Sequence, residues 1–325
     1  MDIVVQKYGG SSVANKEKLE LVMEKIISVV KENNKVVVVV SAQGKMTDAL
    51  IDKANEYCDL TYSKEMDLLL ATGEIQTVAL LTMMLKNKGY DAIGLTGGQA
   101  GIITDSNFSN AKIKMVMSEN ITKHLESGKI VIVAGFQGID KFGHITTLGR
   151  GGSDLSAVAI AASLKAVRCE IYTDVDGVFS TDPNLVSNAR LINSVSYDEM
   201  LEAATAGAKV LHNRAVSMAK KYKLNLNVRN TRGDNKGTLV TEDNNVDETY
   251  NTKILAVQKN LAKITIIGEH MYSNLDYLWK IYNLARENNT AIYMLSFSEV
   301  AINIVVSEND VDEFTNKLHN NLIEG

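Results

Sequence analysis

Lys35-Val36-Val37-Val38-Val39-Val40 runs straight into Ser41-Ala42-Gln43-Gly44-Lys45-Met46-Thr47-Asp48. Consecutive valines leave no polar face, so the run predicts a strand buried on both sides, as in a parallel sheet. A helix resumes at Ala49. Upstream, Leu19, Val22, Met23, Ile26 and Val30 recur at helical spacing. Before them Ile3-Val4-Val5-Gln6-Lys7 is another short strand, ending in Tyr8-Gly9-Gly10-Ser11-Ser12. The pattern repeats downstream. Asp91 to Leu95 precede Thr96-Gly97-Gly98, Ile130 to Val133 precede Ala134-Gly135-Phe136-Gln137-Gly138, and Glu170 to Tyr172 precede Thr173-Asp174-Val175-Asp176-Gly177. Alternating strands and helices predict an α/β sheet with helices on both faces. Ligands of such sheets sit outside the carboxyl ends of the strands, so these five loops can converge on one site.

Thr147-Leu148-Gly149-Arg150-Gly151-Gly152-Ser153-Asp154 adds the most distinctive chemistry. Its glycines let backbone N–H groups approach an anion. The apolar run that follows predicts a helix with Ser153 or Asp154 as N-cap. A glycine turn feeding a helix N-terminus suits an anion, and Arg150 offers a planar fork for a carboxylate or phosphate.

Bulk composition narrows the class. The 325 residues allow about two domains, and 45% hydrophobic with 22% charged residues is ordinary for a soluble globular chain. A net charge of −5 argues against a nucleic-acid partner held through phosphates. No apolar run approaches a membrane span and no signal peptide is evident. Two distant cysteines and five scattered histidines give neither a disulfide framework nor a metal-ligand spacing, so a cytoplasmic setting without a protein-held metal is expected.

Glycine and polar content rises at Gly233 to Gly237, and an acidic stretch follows from Glu242 to Glu248. The domains are expected at 1–240 and 251–325, with a linker at 241–250. In the tail, strands are predicted at Lys253 to Gln258, Lys263 to Ile267, Ala291 to Leu295 and Ala301 to Val306. Helices are predicted at Leu275 to Glu287 and Val311 to Leu322, a small α+β unit of ferredoxin-like order.

Familiar nucleotide motifs fail. Gly44-Lys45-Met46-Thr47 lacks the remainder of a Walker A loop, and Gly149 to Asp154 ends in Asp where a dinucleotide fingerprint needs glycine. Protein-kinase triplets are absent. Instead Lys7, Lys45, Arg150 and Lys209 each accompany glycines, a pattern suited to phosphoryl transfer, which needs positioning and positive charge.

Taken together, Lys7-Tyr8-Gly9-Gly10-Ser11-Ser12, Ser41 to Asp48, Gly73-Glu74, Leu95-Thr96-Gly97-Gly98-Gln99-Ala100-Gly101, Gly149 to Asp154, Tyr172 to Gly177 and Gly207-Ala208-Lys209-Val210-Leu211-His212 closely resemble the aspartokinases. The tail resembles an ACT domain. The resemblance implies a three-layer amino-acid-kinase sheet with helices on both faces, followed by a single ACT unit where the family commonly has two. It implies phosphorylation of L-aspartate by ATP to 4-phospho-L-aspartate, opening the route to lysine, threonine and methionine, with Mg²⁺ carried by the nucleotide. Lys7, Asp154 and Lys209 are then expected to be catalytic. Ser41, Thr47, Glu74, Arg150 and Ser153 are expected to bind aspartate, Glu74 at its ammonium and Arg150 at its α-carboxylate. Lys7, Gly9, Gly10, Ser11, Thr173, Asp174, Phe179, Asn184, Lys209 and Val210 are expected to hold ATP, with the Gly9 and Gly10 amides cradling phosphate. Asn184 and Asn213 depart from the family's usual Arg and Pro. A homodimer or higher homo-oligomer through the ACT unit is expected, with no membrane partner. The alternatives are another kinase of the superfamily, for acetylglutamate or glutamate, and a catalytically weak ligand-binding regulator.

Overall fold

The computed structural model describes residues 1–58, 63–208, 210–233, 235–242, 253–269, 271 and 275–323. The chain divides into two compact units, Met1–Ala256 and Val257–Gly325.

The valine run forms β2 (Lys35–Val40), with Val36 to Val40 all buried. It pairs in parallel with β1 (Ile3–Tyr8) on one side and β6 (Ile130–Ala134) on the other. The sheet continues outward to β3 (Ala92–Leu95) beyond β6, and to β9 (Arg168–Thr173) beyond β1. Past β9 come β11 (Leu226–Asn230), β12 (Thr238–Thr241) and β10 (Ser194–Ser196), completing eight strands in the order β10-β12-β11-β9-β1-β2-β6-β3. The five strands whose loops were singled out are therefore adjacent and parallel, and their glycine loops leave from one edge.

Strand alternation sends side chains to two cores. Val5, Val37, Val39, Val131 and Val133 face α4 (Glu119–Glu126), α5 (Gly152–Ser163), α6 (Tyr197–Thr205) and α7 (Asn213–Tyr222). Val4, Tyr8, Val36, Val38 and Ile132 face α1 (Lys16–Lys31) and α3 (Lys64–Asn87). The Asn15 side chain accepts the Lys18 N–H to start α1, and a Ser196–Glu199 capping box starts α6. The short α2 (Met46–Asn55) follows β2 and buries none of its residues. A second sheet, ordered β5-β4-β7-β8, joins β4 (Ile102–Thr104), β5 (Ile113–Val116), β7 (Gln137–Ile139) and β8 (Ile145–Thr147). The periodicity reading missed these strands, which are only three or four residues long.

In the second unit, β13 (Leu261–Ile267), β15 (Ala301–Ser307) and β14 (Met294–Ser298) form an antiparallel sheet in that order. Helices α8 (Leu275–Glu287) and α9 (Val311–Leu322) cover one face, burying Ile281, Ile302, Ile304, Val306 and Phe314. Leu275 and Tyr282 stay exposed.

Three expectations are corrected. Residues 253–258 form no strand. Two of their polar groups find partners in the first unit instead: the Leu255 N–H donates to the Ser180 carbonyl at 2.7 Å and Lys253 pairs with Glu199 at 2.9 Å. The helix after the Arg150 loop is capped by Gly151, in the left-handed region at φ 72°, and neither Ser153 nor Asp154 caps it with a side chain. Only glycine takes that conformation without strain, which places Ser153 and Asp154 inside the first turn. Finally, α3 is long and apolar enough by length and composition to cross a membrane. Half of that apolar window is buried against the sheet, and Asp67 and Glu74 lie among its buried residues, so α3 is a core helix.

Candidate active site

Lys7 lies near the carboxyl end of β1, its ammonium 2.6 Å from Asp154 Oδ1 in the first turn of α5. The contact is an ion pair. Both side chains are nearly buried, 12% and 13% exposed, so the attraction is screened far less than at the surface. The same ammonium lies 3.3 Å from where a Cβ on Gly9 would stand, so a side chain there would crowd it. A Cβ on Gly10 would come within 2.8 Å of the Ala42 carbonyl oxygen, and the Gly44 N–H donates to the Gly10 carbonyl at 3.0 Å. The loops after β1 and β2 thus meet backbone to backbone, which only glycine permits. The Gly9 amide is not available as expected. It donates to the Tyr172 carbonyl at 3.3 Å, extending the β1–β9 pairing. Gly10 and Ser11 begin a 3-10 turn, whose first amides have no partner within it.

Glu74 reaches this edge from α3. It is 3% exposed. Its Oε1 accepts the Ala42 N–H at 3.0 Å, while Oε2 has no partner among the described residues. Burial pushes its carboxyl up to about 7, although the Ala42 hydrogen bond pulls the other way. Gly73 makes the approach possible, because a Cβ there would lie 2.8 Å from that of Ala42. Ser41 and Thr47, at the end of β2 and in the first turn of α2, are half-buried. Ser153 is buried and lies against Gly135 at the end of β6, where a Cβ would come within 2.9 Å of its side chain.

Arg150 is exposed between Gly149 and Gly151, both at φ 72°. Behind Gly151 stands the His212 ring, which an added Cβ would strike at 2.3 Å. Burial, then Arg214 and Arg150, hold the His212 imidazole below its ordinary value, against the pull of Asp154.

Thr173 ends β9. Its carbonyl accepts the Thr231 N–H at 3.0 Å, and its hydroxyl donates to Asp174 at 3.1 Å. Thr231 also shares a 2.6 Å hydroxyl contact with Ser12, joining this strand end to the loop after β1. Phe179 is half-buried and bridged to Leu191. Asn184 is exposed and hydrogen-bonds Asp182. Lys209 lies outside the described residues; Val210 beside it is half-buried against the first core. Asn213 opens α7, where proline would be pre-organised, and its amide donates to Thr205 at 3.0 Å.

Two residues that sequence reasoning passed over support the Arg150 loop, Asp67 on α3 and Arg214 on α7. Asp67 carried a usable signal, a carboxylate within an apolar helical run seven residues before Glu74. Arg214 carried none beyond its nearness to His212. Among the described residues no three metal-capable side chains converge.

Residues 2–230 match the amino acid kinase family. The aspartokinase of Bacillus sp. (strain MGA3) is 45% identical, with 99% of this chain and 79% of that one aligned. Aspartokinase 2 of Bacillus subtilis (strain 168) is also 45% identical, covering 96% of this chain and 77% of its own. Among solved structures, E. coli aspartokinase III in complex with aspartate and ADP in the R-state superposes with a TM-score of 0.77 at 26% identity, covering 94% of this chain and 79% of that one.

Proposed function

This chain belongs to the amino acid kinase family, among its aspartokinases, and we propose how its strand-end residues carry the family's reaction. The enzyme transfers the γ-phosphoryl group of ATP to the side-chain carboxylate of L-aspartate, giving 4-phospho-L-aspartate and ADP. Aspartate's side chain, with a solution pKa of about 3.9, is already an anion at neutral pH, so the chain need not supply a general base. What it must supply is a way to bring that anion up to a polyanion.

Lys7 faces the transferred group and offsets its charge, held in place by Asp154. The amides of Gly10 and Ser11 receive phosphate oxygens at the open end of their turn. Lys209 adds a second cation, and Thr173, Asp174, Phe179 and Val210 line the nucleotide. Asn184, hydrogen-bonded to Asp182, is read as part of that lining. Glu74 takes the ammonium of aspartate, and Arg150 takes its α-carboxylate with Ser153, Thr47 and Ser41 beside it. Mg²⁺, when bound to the triphosphate, would neutralise part of its charge.

The observation that carries this reading is the unpartnered, buried Oε2 of Glu74. A buried carboxylate oxygen without a donor costs about 1–3 kcal/mol or more, and an ammonium relieves that cost where an acetylated amine does not. An ADP-release assay with aspartate, glutamate and acetylglutamate tests it. Turnover with aspartate is expected, and turnover with acetylglutamate but not aspartate would refute it. We assign the catalytic role to the first unit, expected from sequence at 1–240. The second unit serves as an ACT-type pairing unit that makes a cytoplasmic homodimer or higher homo-oligomer, in the pathway to lysine, threonine and methionine. Leu275, Trp279 and Tyr282, all exposed on α8, support that pairing role.

A further inference from the structure

Asp67 sits on α3 seven residues before Glu74, about 10 Å along the helix axis, and is fully buried. Its carboxylate accepts the Thr147 N–H at 2.6 Å and the Thr147 hydroxyl at 2.8 Å. It also accepts the Ser109 N–H at 3.0 Å through both oxygens, and the Ser109 hydroxyl at 3.2 Å. Thr147 is the residue from which the Gly149-Arg150-Gly151 loop departs. Ser109 lies under the same loop, its carbonyl oxygen 3.1 Å from where a Cβ on Gly149 would stand.

Ser109 holds φ 66°, a left-handed conformation that a serine seldom keeps without support. Asp67 supplies that support by gripping both its N–H and its hydroxyl. From the other side Arg214 on α7 donates to the Leu148 carbonyl, to Ala111 O at 3.0 Å and to Asn110 Oδ1 at 3.3 Å. The Ala111 N–H in turn donates to the Thr147 carbonyl at 2.9 Å. The base of the Arg150 loop is therefore pinned to α3, the helix that also carries Glu74.

We infer that Asp67 is a positioning residue for aspartate: it fixes the Arg150 loop relative to Glu74, so that the ammonium and the α-carboxylate of one small zwitterion meet both groups at once. This rests on the roles proposed above for Glu74 and Arg150. Two-point recognition of a rigid unit demands such a constraint, because a misplacement of about 1 Å at one point can cost 10²-fold. The nucleotide side is held by other contacts, those of Thr231 with Thr173 and Ser12. Loss of Asp67 should thus act on one substrate and spare the other.

The test is steady-state kinetics of Asp67→Asn with each substrate varied in turn. Asparagine keeps the shape and one acceptor but turns an NH₂ toward the Thr147 and Ser109 donors. The KM for aspartate is expected to rise about tenfold or more, with the KM for ATP within about twofold of the wild type. Because Asp67→Asn can also weaken folding, Thr147→Val and Thr147→Ser serve as the second measurement. Valine should raise the aspartate KM by about threefold or more, and serine, which keeps the hydroxyl, should restore it. A lowered kcat with both KM values unchanged marks a loss of folded enzyme, and that result in Asp67→Asn, or an unmoved aspartate KM in Thr147→Val, overturns the inference. A wild-type chain that releases no ADP with aspartate would instead remove the reading on which it depends.

Discussion

Lowering the pH from 8 to 6 should weaken aspartate binding through one residue, Glu74. Burial holds its carboxyl near 7 in the free enzyme, whereas the ammonium of aspartate needs the ionised form. With that value, about nine-tenths of Glu74 is ionised at pH 8 and about one-tenth at pH 6. The apparent KM for aspartate should therefore rise about tenfold across the interval. Stability follows the opposite sign. The folded form holds its proton to about 7 and an ordinary glutamate only to 4.5, so Glu74 destabilises the free enzyme progressively as pH rises through that window. At about 1.4 kcal/mol per pH unit, the effect approaches about 3 kcal/mol above pH 7, and bound aspartate should offset it. Glu74→Gln removes the titration. Its KM should be flat from pH 6 to 8, and at pH 8 about 30-fold or more above the wild type, since a buried charge partner is lost. An aspartate KM in the wild type that is unchanged between pH 6 and 8, or a Glu74→Gln enzyme with the wild-type profile, would refute the reasoning.

Three further outcomes follow from the contacts. Lys7→Met should lower kcat about 100-fold or more and, by leaving Asp154 buried without its cation, lower stability by about 3 kcal/mol. Adding Asp154→Asn should recover stability in a chemical melt but leave turnover low, and joint recovery of both would exclude a catalytic role for Lys7. Gly151→Ala should raise the aspartate KM, because the position needs φ 72° and an added Cβ meets the His212 ring at 2.3 Å; wild-type kinetics would show that the loop tolerates the change. Phe314→Ala empties a fully buried site in the second unit and should cost about 3–5 kcal/mol, read as an earlier thermal unfolding transition, while an unmoved transition would mean that the site collapses around the loss.

Much of the architecture was readable in the chain because it rests on local pattern. Five valines in a row admit only a doubly buried strand, and the glycine loops after β1, β2, β3, β6 and β9 mark strand ends wherever they occur. Lys7, Glu74, Arg150 and Asp154 could be named from the residues around them and their likeness to a family. The strand expected at 253–258 failed because periodicity measures a segment's own preference, while Ser180 and Glu199 offered its polar groups other partners. Ser153 and Asp154 looked like caps by composition, but a left-handed Gly151 ended the loop first.

Residue order settles which side chains occur at strand ends and which faces are apolar, since both depend on near neighbours. Packing alone decided the rest. The pairing of Lys7 with Asp154 spans 147 positions, and the grip of Asp67 on Thr147 spans 80. Partners so far apart leave no periodic trace in the chain. The value near 7 at Glu74 likewise comes from burial beneath the Ala42 loop, because exclusion of water is a property of the assembled core and of no single stretch.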